Sequence, residues 1–280
     1  MPTAQINGVN LVYEELGQGV PVVVIPGGRA GKEGARPLAE HLASKYKAII
    51  YDRRNCGASD VLISGDLSEQ ELWAEDLYHL LKYLGAAPAY ISGGSAGCRV
   101  GLLLAIRHPE VVKGLLLWYV SGGTIAAQQL GYNYYEQYIE IAEKQGMQGI
   151  IESEFFAERI AENPSNRERL LAMDPIEFVE VMRRWRTFFT DDKPVIGATE
   201  VELKTIDVPM VIVPGNDDVH LLSAGENLHR ILPQSEFHPP MHTPEERTKL
   251  MEIDPVVFQR ITAGKLAEIF LPFLEKVTAA

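Results

Sequence analysis

Apolar and polar positions alternate from the start of the chain. Thr3–Ile6, a turn at Asn7-Gly8 and Val9–Glu14 predict a β-hairpin. Gly17-Gln18-Gly19 breaks that pattern, and Pro21–Ile25 follows as a continuous β-branched run, as expected of a central strand covered on both faces. Residues 34–45 predict a helix and Tyr46–Tyr51 a second buried strand. Leu67–Leu84 has helical apolar spacing and opens with Ser68 and Glu71 at capping-box distance. A strand over 88–92, a helix after Ser95 and a strand through Val111–Val120 follow. Strands alternating with helices predict the α/β class, with a mostly parallel, doubly wound sheet.

The alternation stops at Ser121-Gly122-Gly123. Up to about Thr205 the chain reads as helical, over Tyr132–Lys144, Gly149–Glu162, Asn166–Met173 and Pro175–Phe189. The aromatics gather here, among them Tyr134, Tyr135, Tyr138, Phe155, Phe156 and Trp185. Alternation returns with a strand over Val208–Val213, a helix near Leu222–Ile231, a short strand at Glu236–Pro239 and a last helix from about Pro255 to Val277. The expected organisation is a core from 1–121 and 206–280, interrupted by a helical cap over 122–205.

Composition narrows the function. Apolar residues make up 46% and charged residues 23%, the balance of a globular domain. No apolar stretch approaches the roughly 20 residues that span a bilayer, so no membrane partner is expected. A net charge of −12 argues against a nucleic-acid partner, which requires a basic surface. The first residues carry no basic region followed by an apolar core, and Cys56 and Cys98 cannot form a disulfide framework; a reduced, cytoplasmic protein is expected.

Gly93-Gly94-Ser95-Ala96-Gly97 is a Gly-x-Ser-x-Gly pentapeptide between a strand and a helix. At such a turn the serine is held in a strained conformation with its hydroxyl above the sheet edge. A Cβ at Gly93 or Gly97 would collide with the neighbouring strand or the helix start. The helix start also leaves unpaired N–H groups that can bind an oxyanion.

A serine hydroxyl needs a histidine to take its proton and a carboxylate to orient that histidine. Of seven histidines, His41, His79 and His108 lie on helices before or beside the serine, where a surface role is expected. In a doubly wound sheet the reacting groups gather beyond the C-terminal ends of strands. His220, on the loop Pro214–His220, and His238 and His242, near the last strand, meet that condition. Asp217 and Asp218 stand at the tip of the first of these loops. His238 is expected to point away along its strand, while His242, just beyond it, is free to reach Ser95 from the side. No metal is expected: His238 and His242 are four apart, but Pro239-Pro240 prevents a helix between them.

The order Ser95, Asp218, His242 resembles the α/β-hydrolase fold superfamily, over almost the full length of the chain. Pro26-Gly27-Gly28 resembles its oxyanion loop, and Tyr51–Ser59 its Asp-x-Arg-Gly-x-Gly-x-Ser turn. Val213–Asp218 resembles its Gly-x-x-Asp acid loop, with Gly215 and Asp218 at the matching positions. Pro26 stands where the family usually has histidine, Asn55 where it has glycine, and Met241 where a glycine precedes its histidine. Asparagine enters the left-handed region more readily than most residues, so Asn55 is tolerable there.

The resemblance implies a nucleophile Ser95, an acid Asp218 and a base His242, with Gly28 and Ala96 as oxyanion donors and Asp217 shaping the turn. Serine rather than aspartate in the elbow argues against the haloalkane dehalogenase and epoxide hydrolase branches. A small-molecule substrate is expected, a small or medium apolar ester or lactone, and no cofactor. Arg29, Arg99 and Trp185 are the substrate-binding candidates. The two arginines would also suit a carbon–carbon bond hydrolase with an anionic substrate. A proline-iminopeptidase-like reading needs carboxylates such as Glu152 or Glu154 to hold an ammonium, and a non-catalytic receptor would label poorly at Ser95.

Overall fold

The computed structural model describes residues 1–279. Its centre is a sheet of eight strands: β1 Thr3–Ile6, β2 Val9–Leu16, β3 Pro21–Ile25, β4 Lys47–Tyr51, β5 Ala89–Gly94, β6 Val112–Trp118, β7 Met210–Val213 and β8 Glu236–Phe237. They lie in the order β1-β2-β4-β3-β5-β6-β7-β8. The pairings β1–β2 and β2–β4 are antiparallel and all later ones parallel.

The continuous apolar runs become the central strands because both faces of the sheet are covered. Along β3 successive side chains divide between the faces. Val22 and Val24 pack with Leu38 of α1 (Arg36–Leu42) and Phe270 of the C-terminal helix. Val23 and Ile25 face Trp73 and Leu77 of α2 (Glu69–Tyr83) and Val100 and Leu104 of α3 (Ala96–Arg107). Ser68 caps α2 in a reciprocal box: its Oγ accepts from the Glu71 backbone N–H, and the Glu71 carboxylate accepts from the Ser68 N–H.

Between β6 and β7 lie α4 (Thr124–Gly131), a π-helical turn over Tyr132–Glu136, α5 (Gln137–Glu152), α6 (Glu154–Glu162), α7 (Ser165–Leu171), α8 (Pro175–Arg186) and α9 (Glu200–Leu203). Gly146, at φ +62°, kinks α5. The aromatics of this stretch form its own apolar cluster around Tyr135, Phe156, Phe178 and Trp185. It is joined to the segment after β4 by buried polar contacts, such as the Val61 N–H donated to Asn166 Oδ1 at 2.8 Å.

The last part holds α10 (Leu222–Ile231), α11 (Pro244–Ile253) and α12 (Pro255–Ala279). The short strand expected over Glu236–Pro239 ends at Phe237, because prolines 239 and 240 cannot donate to a ladder. α11 has no apolar period, since none of its residues is buried; the capping box of Thr243 and Glu246 and Pro244 at the helix start mark it in the sequence. Among the described residues no helix is long and apolar enough to cross a membrane.

Candidate active site

β5 runs into α3 through Ser95, at φ +51° and ψ −106°. A non-glycine residue there carries strain of about 1–3 kcal/mol, kept in place by what surrounds it. A Cβ on Gly93 would stand 2.2 Å from the Gly97 carbonyl oxygen, and one on Gly97 2.5 Å from that of Ile25. The Ser95 N–H is donated to Trp118 O at 3.0 Å, which anchors the turn to β6. Ala96 is the first residue of α3, so its N–H has no partner within the helix.

The histidine that meets Ser95 is His220, not His242. His220 Nε2 lies 2.8 Å from Ser95 Oγ, and its Nδ1 lies 3.0 and 3.1 Å from the two carboxylate oxygens of Asp217. The same carboxylate accepts from the backbone N–H groups of Val219 and His220 at 3.0 and 2.9 Å. Both residues stand on the loop after β7. Gly215 lets that loop fold back, since a Cβ there would lie 2.4 Å from the Cβ of His220. Burial opposes ionisation of Asp217, but the His220 ring and backbone, together with the Arg247 guanidinium, outweigh it and hold its carboxyl well below the ordinary range.

Neither Asp218 nor His242 makes the contact expected of it. Asp218 is exposed next to Asp217 and, among the described residues, makes no hydrogen bond to a histidine. His242 is buried beneath α12, where its Nε2 lies 3.1 Å from Thr262 Oγ1 and its Nδ1 3.3 Å from Lys265 Nζ. β8 stops at Phe237, and the loop beyond it packs against α12, where Thr262 and Lys265 hold the His242 ring. His238 hydrogen-bonds Glu236 at 2.9 Å, away from Ser95.

Burial, then the neighbouring Lys265 charge, lowers the His242 pKa below its usual 6.5. Above that value both folded and unfolded chains are neutral at this ring. As the pH falls towards the folded-state value, the unfolded chain takes up a proton that the folded one resists, and stability is lost. The urea midpoint should therefore drop more between pH 7.5 and 5 in the wild type than in His242→Gln. Equal drops would show that the ring titrates normally.

The loop Pro26–Gly28 packs against the elbow; a Cβ on Gly27 would lie 3.3 Å from Ser95 Cβ. The turn after β4 braces it. Arg53 donates to the carbonyls of Gly28 and Ala30 at 2.9 and 3.3 Å, with its guanidinium over the Trp73 ring. Asn55 adopts φ +64°, as an asparagine in a glycine position can, and its amide donates to Glu69 Oε1 at 2.9 Å.

The three substrate-binding candidates are engaged elsewhere. Arg29 is buried, paired with Glu69 at 2.7 Å, and packed among the rings of Tyr134, Tyr135, Tyr138 and Phe155. Arg99 donates to Gln70 Oε1 at 3.0 Å and Ser121 Oγ at 2.8 Å. Trp185 is fully buried in the inserted helices, its indole N–H donated to Leu67 O at 2.9 Å. Glu152 and Glu154 are exposed. Glu69 is entirely buried and also accepts from the Tyr135 hydroxyl at 3.0 Å. Glu69→Gln leaves the Arg29 charge uncompensated and should cost about 3–5 kcal/mol in urea unfolding; a loss below 1 kcal/mol would show that the pair is solvated.

A cavity of about 150 Å³ reaches Ser95 between α1 and α12. Its walls are mainly apolar, among them Leu38, Trp118, Phe258 and Leu266.

Residues 20–127 match the family described as alpha/beta hydrolase fold. An uncharacterized hydrolase of Bacillus subtilis, YraK, is 34% identical over 114 residues, 41% of this chain and 42% of that protein. The chain spans less than half the length of the curated relatives it matches. Among solved structures, a thermophilic esterase from Thermogutta terrifontis superposes with a TM-score of 0.64 at 20% identity, over 99% of this chain and 98% of that one. The enol-lactonase of Burkholderia xenovorans LB400 does so with a TM-score of 0.63 at 18% identity, over 98% and 100%. The chain has the α/β-hydrolase fold.

Proposed function

We propose that this chain is a serine hydrolase acting through Ser95, His220 and Asp217 on a small or medium ester or lactone. The observation that carries the reading is the unbroken hydrogen-bond chain from Ser95 Oγ through the His220 ring to the Asp217 carboxylate. Ser95 Oγ adds to the carbonyl carbon while its proton passes to His220 Nε2. The oxyanion is met by the backbone N–H groups of Gly28 and Ala96. When the intermediate collapses, the bond to the leaving alkoxide breaks and the proton on His220 goes to that oxygen. Water, giving its proton to His220, then releases the acid and restores Ser95. Asp217 holds the ring with Nε2 free to accept and stabilises the imidazolium that forms.

Proteins that share the fold include an esterase, an enol-lactonase and a meta-cleavage product hydrolase, so the choice of an oxygen ester rests on the site itself. The two arginines that would meet an anionic substrate are already bound to Glu69, Gln70 and Ser121, which weakens the carbon–carbon hydrolase reading. The exposed Glu152 and Glu154 weaken the iminopeptidase reading in the same way.

A fluorophosphonate probe tests the nucleophile. The folded wild type should be labelled stoichiometrically at Ser95, and Ser95→Ala should not be labelled. An unlabelled, folded wild type would favour a binding protein.

A further inference from the structure

The cavity beside Ser95 lies away from the inserted helices. It runs between α1 and α12, walled by Leu38, Trp118, Phe258, Ala263 and Leu266. Among the described residues, none of 122–205 lines it, and neither does any residue of the Pro214–Leu221 loop that carries Asp217 and His220. We propose that this cavity is an acyl subsite, holding the chain on the carbonyl side of a substrate up to about six carbons long. The assignment rests on the serine-hydrolase reading above.

The position of the base decides which part of the substrate enters. The leaving group takes its proton from His220 Nε2, so it departs on the side of the β7 loop. A space that touches Ser95 but no residue of that loop receives the opposite part of the substrate, the acyl chain. Size decides its length. A cavity of about 150 Å³ is comparable to one that holds benzene, so a six-carbon chain fills it and a longer one exceeds its volume. The wall chemistry decides its polarity: each methylene moved from water against these side chains should gain about fourfold in binding.

The inserted helices have no free apolar surface at this place. Their aromatics are used in their own cluster, and Arg29 and Trp185 are bound within it. Selection by acyl length therefore falls to α1 and α12.

The test is the hydrolysis of p-nitrophenyl acetate, butyrate, hexanoate and dodecanoate, with rates counted per mole of Ser95 that a fluorophosphonate labels. For the wild type, kcat/KM should rise at least tenfold from acetate to hexanoate and fall at least tenfold at dodecanoate. Ala263→Phe places a ring in the cavity, and Gln259→Trp narrows its mouth from an exposed position. Each should lower the hexanoate-to-acetate ratio at least tenfold. If Ala263→Phe does not fold, Gln259→Trp carries the test. A flat chain-length profile, or an unchanged ratio in labelled Gln259→Trp, overturns the acyl subsite while leaving Ser95 as nucleophile. Absence of Ser95 labelling in the wild type overturns the hydrolase reading and the subsite with it.

Discussion

Replacing His220 by glutamine is expected to lower kcat/KM for any ester substrate by about 10⁴- to 10⁶-fold, with folding retained. His220 is the ring within reach of Ser95 Oγ, at 2.8 Å, and glutamine has no group that accepts a proton at neutral pH. The matched control is His242→Gln, which should stay within about fivefold of the wild type. His242 faces Thr262 and Lys265 under α12 and makes no hydrogen bond to Ser95. Steady-state kinetics on both variants, with circular dichroism to verify folding, decides between the two histidines. A large loss in His242→Gln and a small one in His220→Gln would restore the base to the loop after the last strand.

Asp217→Asn should cost about 10⁴-fold in kcat, because a neutral amide leaves the ring in the wrong tautomer and the imidazolium without its counter-charge. Asp218→Asn, one residue on, should stay near wild type. Asp217 accepts three hydrogen bonds from the segment Val219–His220, counting the ring and two backbone N–H groups, whereas Asp218 is exposed. Arg247 of α11 adds a cation 3.3 Å from the second carboxylate oxygen. The two variants should therefore differ by three orders of magnitude or more, and equal losses would mean that the loop carries its acid function through either carboxylate.

The elbow was legible in the sequence because its causes are local. Two glycines four residues apart, a serine between them, a strand before and an amphipathic helix after are all the geometry requires, and the Ser95 dihedrals follow. The capping box at Ser68, the left-handed Asn55 and the division of β3 between two faces are likewise short-range. The acid loop was also legible as a loop. What misled was its inner order. Asp218 fits the family spacing from Gly215, but Asp217 stands three residues before His220, the distance at which a turn can return its backbone and ring to one carboxylate. Arg247 left no trace, because α11 has no apolar face to announce it.

By itself the sequence determined the alternating strands and helices, the strained serine at the end of β5 and the loops that could bring partners to it, since these depend on side-chain period, on glycine and proline, and on contacts within a few residues. Only the tertiary structure decided which partners arrive. The choice between His220 and His242 turns on where β8 stops and how α12 closes over the loop beyond it, contacts made by Thr262 and Lys265 more than twenty positions from Pro240. The fate of Arg29 turns on Glu69 and on aromatic rings more than a hundred positions away. Such pairings are set by packing across the whole domain, and no local pattern in the chain carries them.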